Sequence, residues 1–145
     1  MADRASIKPA GLYAGLVGAT LVIAGIVGFF YSADFGEPGK VDGVLGILDV
    51  NGWHNVVHIA TGLIGLAVAS SYGSARAYAI GFGAVYVAIA VWGFIAGDGS
   101  NLLGIIPVNT EDNFLHLLIG IGGLGAGFAT PTVPAPSTMA PAEAA

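Results

Sequence analysis

The chain has 145 residues, of which 55% are apolar and only 9% charged, too few charges to clothe a water-soluble globular surface. Four Lys and Arg against nine Asp and Glu leave a net charge of −5, which excludes the basic footprint that nucleic-acid binding requires. The absence of Cys excludes disulfides, thiolate nucleophiles and Cys-ligated metal sites.

Arg4 and Lys8 precede a first uncharged run, 9–33. A hydrocarbon core about 30 Å thick needs roughly 20 apolar residues in one helix, and this run supplies them. A cleaved signal peptide has a shorter apolar core and small residues at its cleavage site, whereas bulky Tyr31 closes this run. The segment is therefore expected to stay in place as a signal anchor. Its Gly11, Gly15, Gly18 and Gly25 lie at helical spacings that let backbones approach closely in lipid.

An acidic connection follows, in which Asp34, Glu37, Asp42 and Asp49 surround the single cation Lys40. Its apolar stretch 44–48 is too short to cross a bilayer and is expected at the interface as a short helix or re-entrant turn. The second uncharged run, 50–75, contains VNGWHNVVHIATGLIGL. Asn51 has the position of an N-cap. Asn55, His58, Gly62, Gly65 and Ala69 follow at spacings of three and four, which place them on one helical face.

Arg76 separates this run from the third, 77–97, whose Tyr86 is a candidate hydrogen-bond donor near mid-helix. A second acidic connection, with Asp98, leads to another short apolar stretch, 102–106, and then to the last run, 113–130. Thr110, Glu111 and Asp112 extend that helix outward and set acids at its positive end. Asn109 and Asp112 have capping-box spacing, and Asn113, His116, Gly120, Gly123 and Gly127 form a stripe. The remainder, 131–145, reads PTVPAPSTMAPAEAA, a composition that cannot bury a core and is expected to be disordered.

Residues 44–66 and 102–124 align at an offset of 58 with ten of 23 positions identical, including Asn51/Asn109, Asn55/Asn113, His58/His116, Gly62/Gly120 and Gly65/Gly123. The first and third runs align at an offset of 65, pairing Tyr13 with Tyr78, Gly18 with Gly83 and Gly28-Phe29 with Gly93-Phe94. The expected fold is an all-α polytopic membrane protein of four transmembrane helices. These form two tandem hairpin repeats about a pseudo-twofold axis along the membrane normal, with the second and fourth helices facing each other. The membrane domain takes residues 1–130, with spans near 10–32, 52–72, 76–97 and 111–130, ahead of the tail.

Arg4, Lys8 and Arg76 on one side against Lys40 on the other lead to the expectation that both termini are cytoplasmic. Seven of the nine acids then face outward. Tyr13, Tyr72 and Tyr78 toward inner ends, with Tyr31, Trp53 and Trp92 toward outer ends, suit interfacial aromatic belts.

The polar cluster in the outer half is the candidate site, since polar groups in a bilayer are costly and mark partners or ligands. One arrangement has Asn55, His58, Asn113 and His116 hydrogen-bonded to one another and to loop carbonyls, locking the repeats together, with Asn51 and Asn109 as caps. This is the favoured reading, and it makes the protein a non-enzymatic accessory or binding module. A second joins His54, His58, His116 and Asp112 around a transition metal, for which imidazole and carboxylate are suited ligands. A third makes His58 and His116 axial ligands of a haem b in a redox protein, with glycine stripes giving room for the macrocycle. An oligomeric transporter or channel component is a further alternative. The lipid bilayer is the surrounding partner, with a homo-oligomer or a larger membrane complex as the expected assemblies. Phosphate-binding loops, nucleophile elbows and HExxH zinc signatures are missing from the sequence.

The segments VNGWHNVVHIATGLIGL and NFLHLLIGIGGL, the run Ala75-Arg76-Ala77-Tyr78 and the pairs Gly28-Phe29 and Gly93-Phe94 resemble the bacterial membrane proteins of domain of unknown function 4383. The resemblance covers all four runs. It implies a four-span membrane protein and supplies no activity, cofactor or catalytic residue.

Overall fold

Pro9 opens the first helix because its fixed φ suits the first helical turn and its missing N–H would have no partner there. The helix, α1 (Pro9–Tyr31), runs through the apolar segment and stops where Ser32 turns extended, its N–H still bonded to the Gly28 carbonyl at 2.8 Å. The computed structural model describes residues 8–36 and 42–132. Arg4, Glu37 and Lys40 of the charge argument, and all of the expected disordered tail beyond Thr132, lie outside the described residues.

Among the described residues the chain continues as β1 (Asp42–Val44), β2 (Leu48–Val50), α2 (Gly52–Val68), α3 (Tyr72–Ala96), β3 (Ser100–Leu102), β4 (Ile106–Val108) and α4 (Thr110–Ala129). It is mostly helical. Two of the four helices, α1 and α3, are long and apolar enough to cross a membrane. The boundary between α2 and α3 differs from the expected spans, with α2 ending at Val68 and α3 beginning at Tyr72. The Ser-rich segment 70–74 accounts for this: Ser71 adopts the extended conformation of an N-cap, its N–H closes a turn onto Val68 O at 2.9 Å, and its hydroxyl meets that of Ser74.

Neither short apolar stretch is an interfacial helix or re-entrant turn. Each forms an antiparallel hairpin, β1 with β2 and β3 with β4, so two small sheets modify the all-α expectation. Val44, Val50, Ile106 and Val108 favour the pleated backbone. The turns place Leu45 and Gly46 at φ 56° and 70°, and Leu103 and Gly104 at 53° and 75°. Ile47 N–H bonds Val44 O and Ile105 N–H bonds Leu102 O, both at 3.1 Å. Positive φ at both residues of each Leu-Gly pair is the left-handed pattern that type I′ turns share, here within three-residue loops, 45–47 and 103–105, that close the two hairpins. Glycine takes the second position freely, while leucine at the first carries a penalty of roughly 1–2 kcal/mol.

Helix packing differs from the expected pairing. Principal contacts join α1 to α2 and α3 to α4, α1 also touches α3 and α4, and α2 and α4 do not pack closely. The glycine stripes explain it. A Cβ on Gly18 would lie 2.8 Å from Gly62 O and 2.9 Å from Leu66 N, and one on Gly83 would lie 2.7 Å from Leu124 N and 2.8 Å from Gly120 O. The stripes of α2 and α4 are thus spent on the neighbouring helix rather than on each other.

At the end remote from the hairpins, Ala10, Tyr13 and Ala14 of α1 form a buried core with Ala75 and Ala79 of α3. Tyr13 and Tyr78 are not belt residues. Tyr13 Oη donates to Ile119 O on α4 at 2.9 Å, and Tyr78 Oη donates to Thr61 O on α2 at 3.1 Å. Each therefore ties one helix pair to the other. Replacing either with Phe is expected to lower stability by about 0.6 kcal/mol, and by no more than ~1.7 kcal/mol. Unfolding in mixed detergent micelles measures this, and no loss in both variants would show that the bonds are idle.

Candidate functional site

The polar residues of α2 and α4 gather at the hairpin end, beginning with two caps. Asn51 Oδ1 accepts from His54 N at 2.9 Å, and Asn109 Oδ1 accepts from Asp112 N at 2.9 Å, the capping role expected of both. Their amide nitrogens do something further. Asn51 Nδ2 donates to Ile105 O in the β3–β4 turn, and Asn109 Nδ2 donates to Ile47 O in the β1–β2 turn, each at 2.6 Å. Every cap is also a cross-link between the hairpins.

Asp112 completes its capping box by accepting from Asn109 N at 3.3 Å with Oδ2, which also accepts from Asp49 N at 2.9 Å. The carboxylate is buried and this oxygen is committed to backbone. Burial raises the carboxyl pKa of nearby Asp49, an Asn109 hydrogen bond opposes the shift, and the Asp98 and Glu111 charges add to it.

His54 takes the carbonyl of the same strand residue, with Nδ1 2.9 Å from Asp49 O. A carbonyl can only accept, so Nδ1 carries the proton and Nε2 of the neutral ring holds a lone pair. His58 stacks edge-on at 4.4 Å between centroids, and His116 lies 5.9 Å from His54 and 6.4 Å from His58. One ring nitrogen from each histidine falls within 4.8 Å of the other two. His54 and His116 are buried and His58 is half-buried. Tyr86, 3% exposed, sets its ring edge-to-face with His116 at 5.1 Å. His116 Nδ1 is buried without a hydrogen-bond partner.

The imidazoles divide two spaces. On the side of Tyr86, Leu102 and Ile106 is a cavity of about 40 Å³. Between α1 and α4 is one of about 200 Å³, apolar along Leu21, Ala24 and Ile119, with Asp112 on its wall.

The expected hydrogen bonding of Asn55 and Asn113 with His58 and His116 does not form. Asn55 Nδ2 donates to Ser32 O at 2.8 Å, and its Oδ1 faces Gly28 so closely that a Cβ there would overlap it. Asn113 Oδ1 faces Gly93 in the same manner. Three helical residues span 300°, so Asn and His three apart point about 60° away from one another. That rotation is enough to aim each Asn at α1 or α3 and each His at the gap. The glycine Cα–H groups are the remaining weak donors for these amide oxygens.

Three of the proposed metal ligands are thus brought together, Asp112 stands apart on the cavity wall, and the four Asn are structural contacts. Sequence reasoning missed the Asp49 backbone, which both His54 and Asp112 grasp, and main-chain contacts leave no residue-type signal. It also missed the cross-hairpin bonds, for which the amide donor of each Asn was the available sign.

No curated protein and no solved structure matches the chain. A family model described as a domain of unknown function (DUF4383) matches residues 12–129, and the chain belongs to that family.

Proposed function

We propose that this is a four-span integral membrane protein of two tandem hairpin repeats, acting as a binding module whose site lies among α2, α4 and the two β-hairpins. The observation that carries the binding role is the convergence of His54, His58 and His116. Three imidazoles drawn together with no hydrogen bond joining them are poorly explained by packing alone.

Support for four spans comes from the surface. Large apolar side chains stand exposed on every helix, among them Phe30 at 85%, Ile64 at 55%, Ile95 at 80% and Leu118 at 68%. Such continuous apolar exposure suits lipid rather than water. Support for the repeat comes from paired contacts: Ile47 and Ile105, and Thr61 and Ile119, are each 58 apart and accept equivalent bonds from Asn109, Asn51, Tyr78 and Tyr13. The cation distribution favours cytoplasmic termini, with the site toward the outer face of a bacterial cytoplasmic membrane.

Because the chain has no Cys, single thiols report topology cleanly. In intact cells, Gly36→Cys and Glu111→Cys are expected to react with an impermeant maleimide, and Gly73→Cys only after permeabilisation. Labelling of Gly73→Cys from outside would reverse the orientation, and labelling of one connection but not the other would remove the four-span arrangement.

A further inference from the structure

We propose that His54, His58 and His116 bind a single late first-row transition-metal ion, of the zinc or copper class, with a fourth position open to the cavity between α1 and α4. The inference rests on reading the cluster as a binding site, and does not depend on the number of spans.

The donor set selects the ion. Imidazole suits Zn, Cu, Fe and Ni, whereas Ca and Mg prefer oxygen ligands. Metal–nitrogen bonds of about 2.0–2.1 Å bring two ligand atoms to roughly 4 Å or less across the ion. The three nitrogens, within 4.8 Å of one another, reach that geometry through small ring rotations. Second contacts are also in place. His54 donates its Nδ1 proton to Asp49 O, the outer hydrogen bond that fixes tautomer and ring direction in metal-ligating histidines and leaves Nε2 for the ion. His116, 5% exposed, has a buried Nδ1 with no partner, a vacancy that coordination by this ring would help to explain.

Charge and space agree. Three neutral imidazoles leave an ion's charge uncompensated in a low-dielectric interior, and the Asp112 carboxyl stands on the wall of the same cavity. That cavity, about 200 Å³ and lined by all three rings, leaves room beside the ion for a water or a small molecule as fourth ligand. A haem needs a flat slot between His58 and His116, but His54 packs against His58 and the glycine stripes are filled by neighbouring helices. Three protein ligands plus an open position is the pattern of a reactive rather than a closed structural site. Here that position faces apolar walls, so the fourth ligand is water or a small lipid-soluble molecule.

The test uses the full chain, purified in detergent through a tag without histidine, stripped with chelator and titrated with Zn²⁺ against a chromophoric competitor. One equivalent per chain is expected, with a rise in thermal midpoint. His58→Gln, at a half-buried position, should keep the helical circular-dichroism signal and weaken Zn²⁺ by ~100-fold or more, at or beyond the loss seen when outer contacts are removed. His116→Gln should do the same. Substitution with Co²⁺ should give visible ligand-field bands of a four-coordinate site, a readout that folding alone does not produce. Absence of stoichiometric binding by folded wild-type protein, or binding unchanged in His54→Gln/His58→Gln/His116→Gln, overturns the proposal. Thiol labelling still decides the four-span reading in either case.

Discussion

Gly83→Ala is expected to destabilise the protein by about 1–3 kcal/mol, the cost of forcing extra volume into a packed contact. The added Cβ would meet Leu124 N at 2.7 Å, Gly120 O at 2.8 Å and the Gly123 carbonyl carbon at 3.1 Å, all main-chain atoms that no rotamer change can move. Relief requires α3 and α4 to separate along the stripe where they approach most closely, with loss of dispersion contacts over several turns. Gly18→Ala should act alike on α1 and α2, where Gly62 O, Leu66 N and the Gly65 carbonyl carbon line the same kind of notch. Gly81→Ala is the internal comparison. It lies two residues from Gly83 on the same helix, a Cβ there meets nothing within 4 Å, and helix propensity alone should stabilise it by roughly 0.5–1 kcal/mol. Denaturant titration in detergent reads all three. Equal behaviour of Gly83→Ala and Gly81→Ala would remove close approach as a determinant of this fold.

These glycines show what a sequence of this kind discloses and what it withholds. Spacing identifies the face on which Gly62, Gly65, Gly120 and Gly123 lie, but not which helix will cover it, since neighbours are set by packing of the whole bundle. The stripes therefore pointed α2 at α4, whereas in the structure they hold α1 and α3. Repeat alignment located His58 and His116, and spacing added His54, so the imidazole group was legible. The error lay with Asn55 and Asn113, grouped with the histidines because residues three apart are neighbours on a helix. A 60° difference in direction is decisive once a third helix stands beside the pair. The hairpins were hidden for a simpler reason. A five-residue apolar stretch has no distinguishing period, and Leu-Gly replaces the Asn-Gly or Asp-Gly that usually marks a type I′ turn.

Asn51→Ala is expected to lower stability by about 2 kcal/mol and to loosen the imidazole group at the same time. Two bonds are lost. The cap on His54 N contributes roughly 0.5–2 kcal/mol, and the bond to Ile105 O adds ~0.5–1.5 kcal/mol. Asn109→Ala removes the equivalent pair, the cap on Asp112 N and the bond to Ile47 O. Asn51→Ser separates the two effects, because its hydroxyl still accepts from His54 N but is too short to reach Ile105 O. Its stability should fall by less than that of Asn51→Ala, with the remaining loss assigned to the cross-link. The double variant Asn51→Ala/Asn109→Ala tests whether the links act on one interface. Both cross between the same two hairpins, so once the first is gone the second holds less, and the combined loss should be smaller than the sum of the single losses. Simple additivity would mean that the hairpins are held independently. The consequence for the site follows from chain connectivity. His54 and His58 sit in the first two turns of α2, directly after Asn51, and His116 sits in the second turn of α4. A frayed start of α2 lets two of the three rings drift from the third, so Asn51→Ala should weaken Zn²⁺ binding although Asn51 supplies no ligand. Asn51→Ser, with the cap kept and no charge added, should bind more tightly than Asn51→Ala. The reverse order would show that the ring positions are set by the cross-link between hairpins, and not by the helix start.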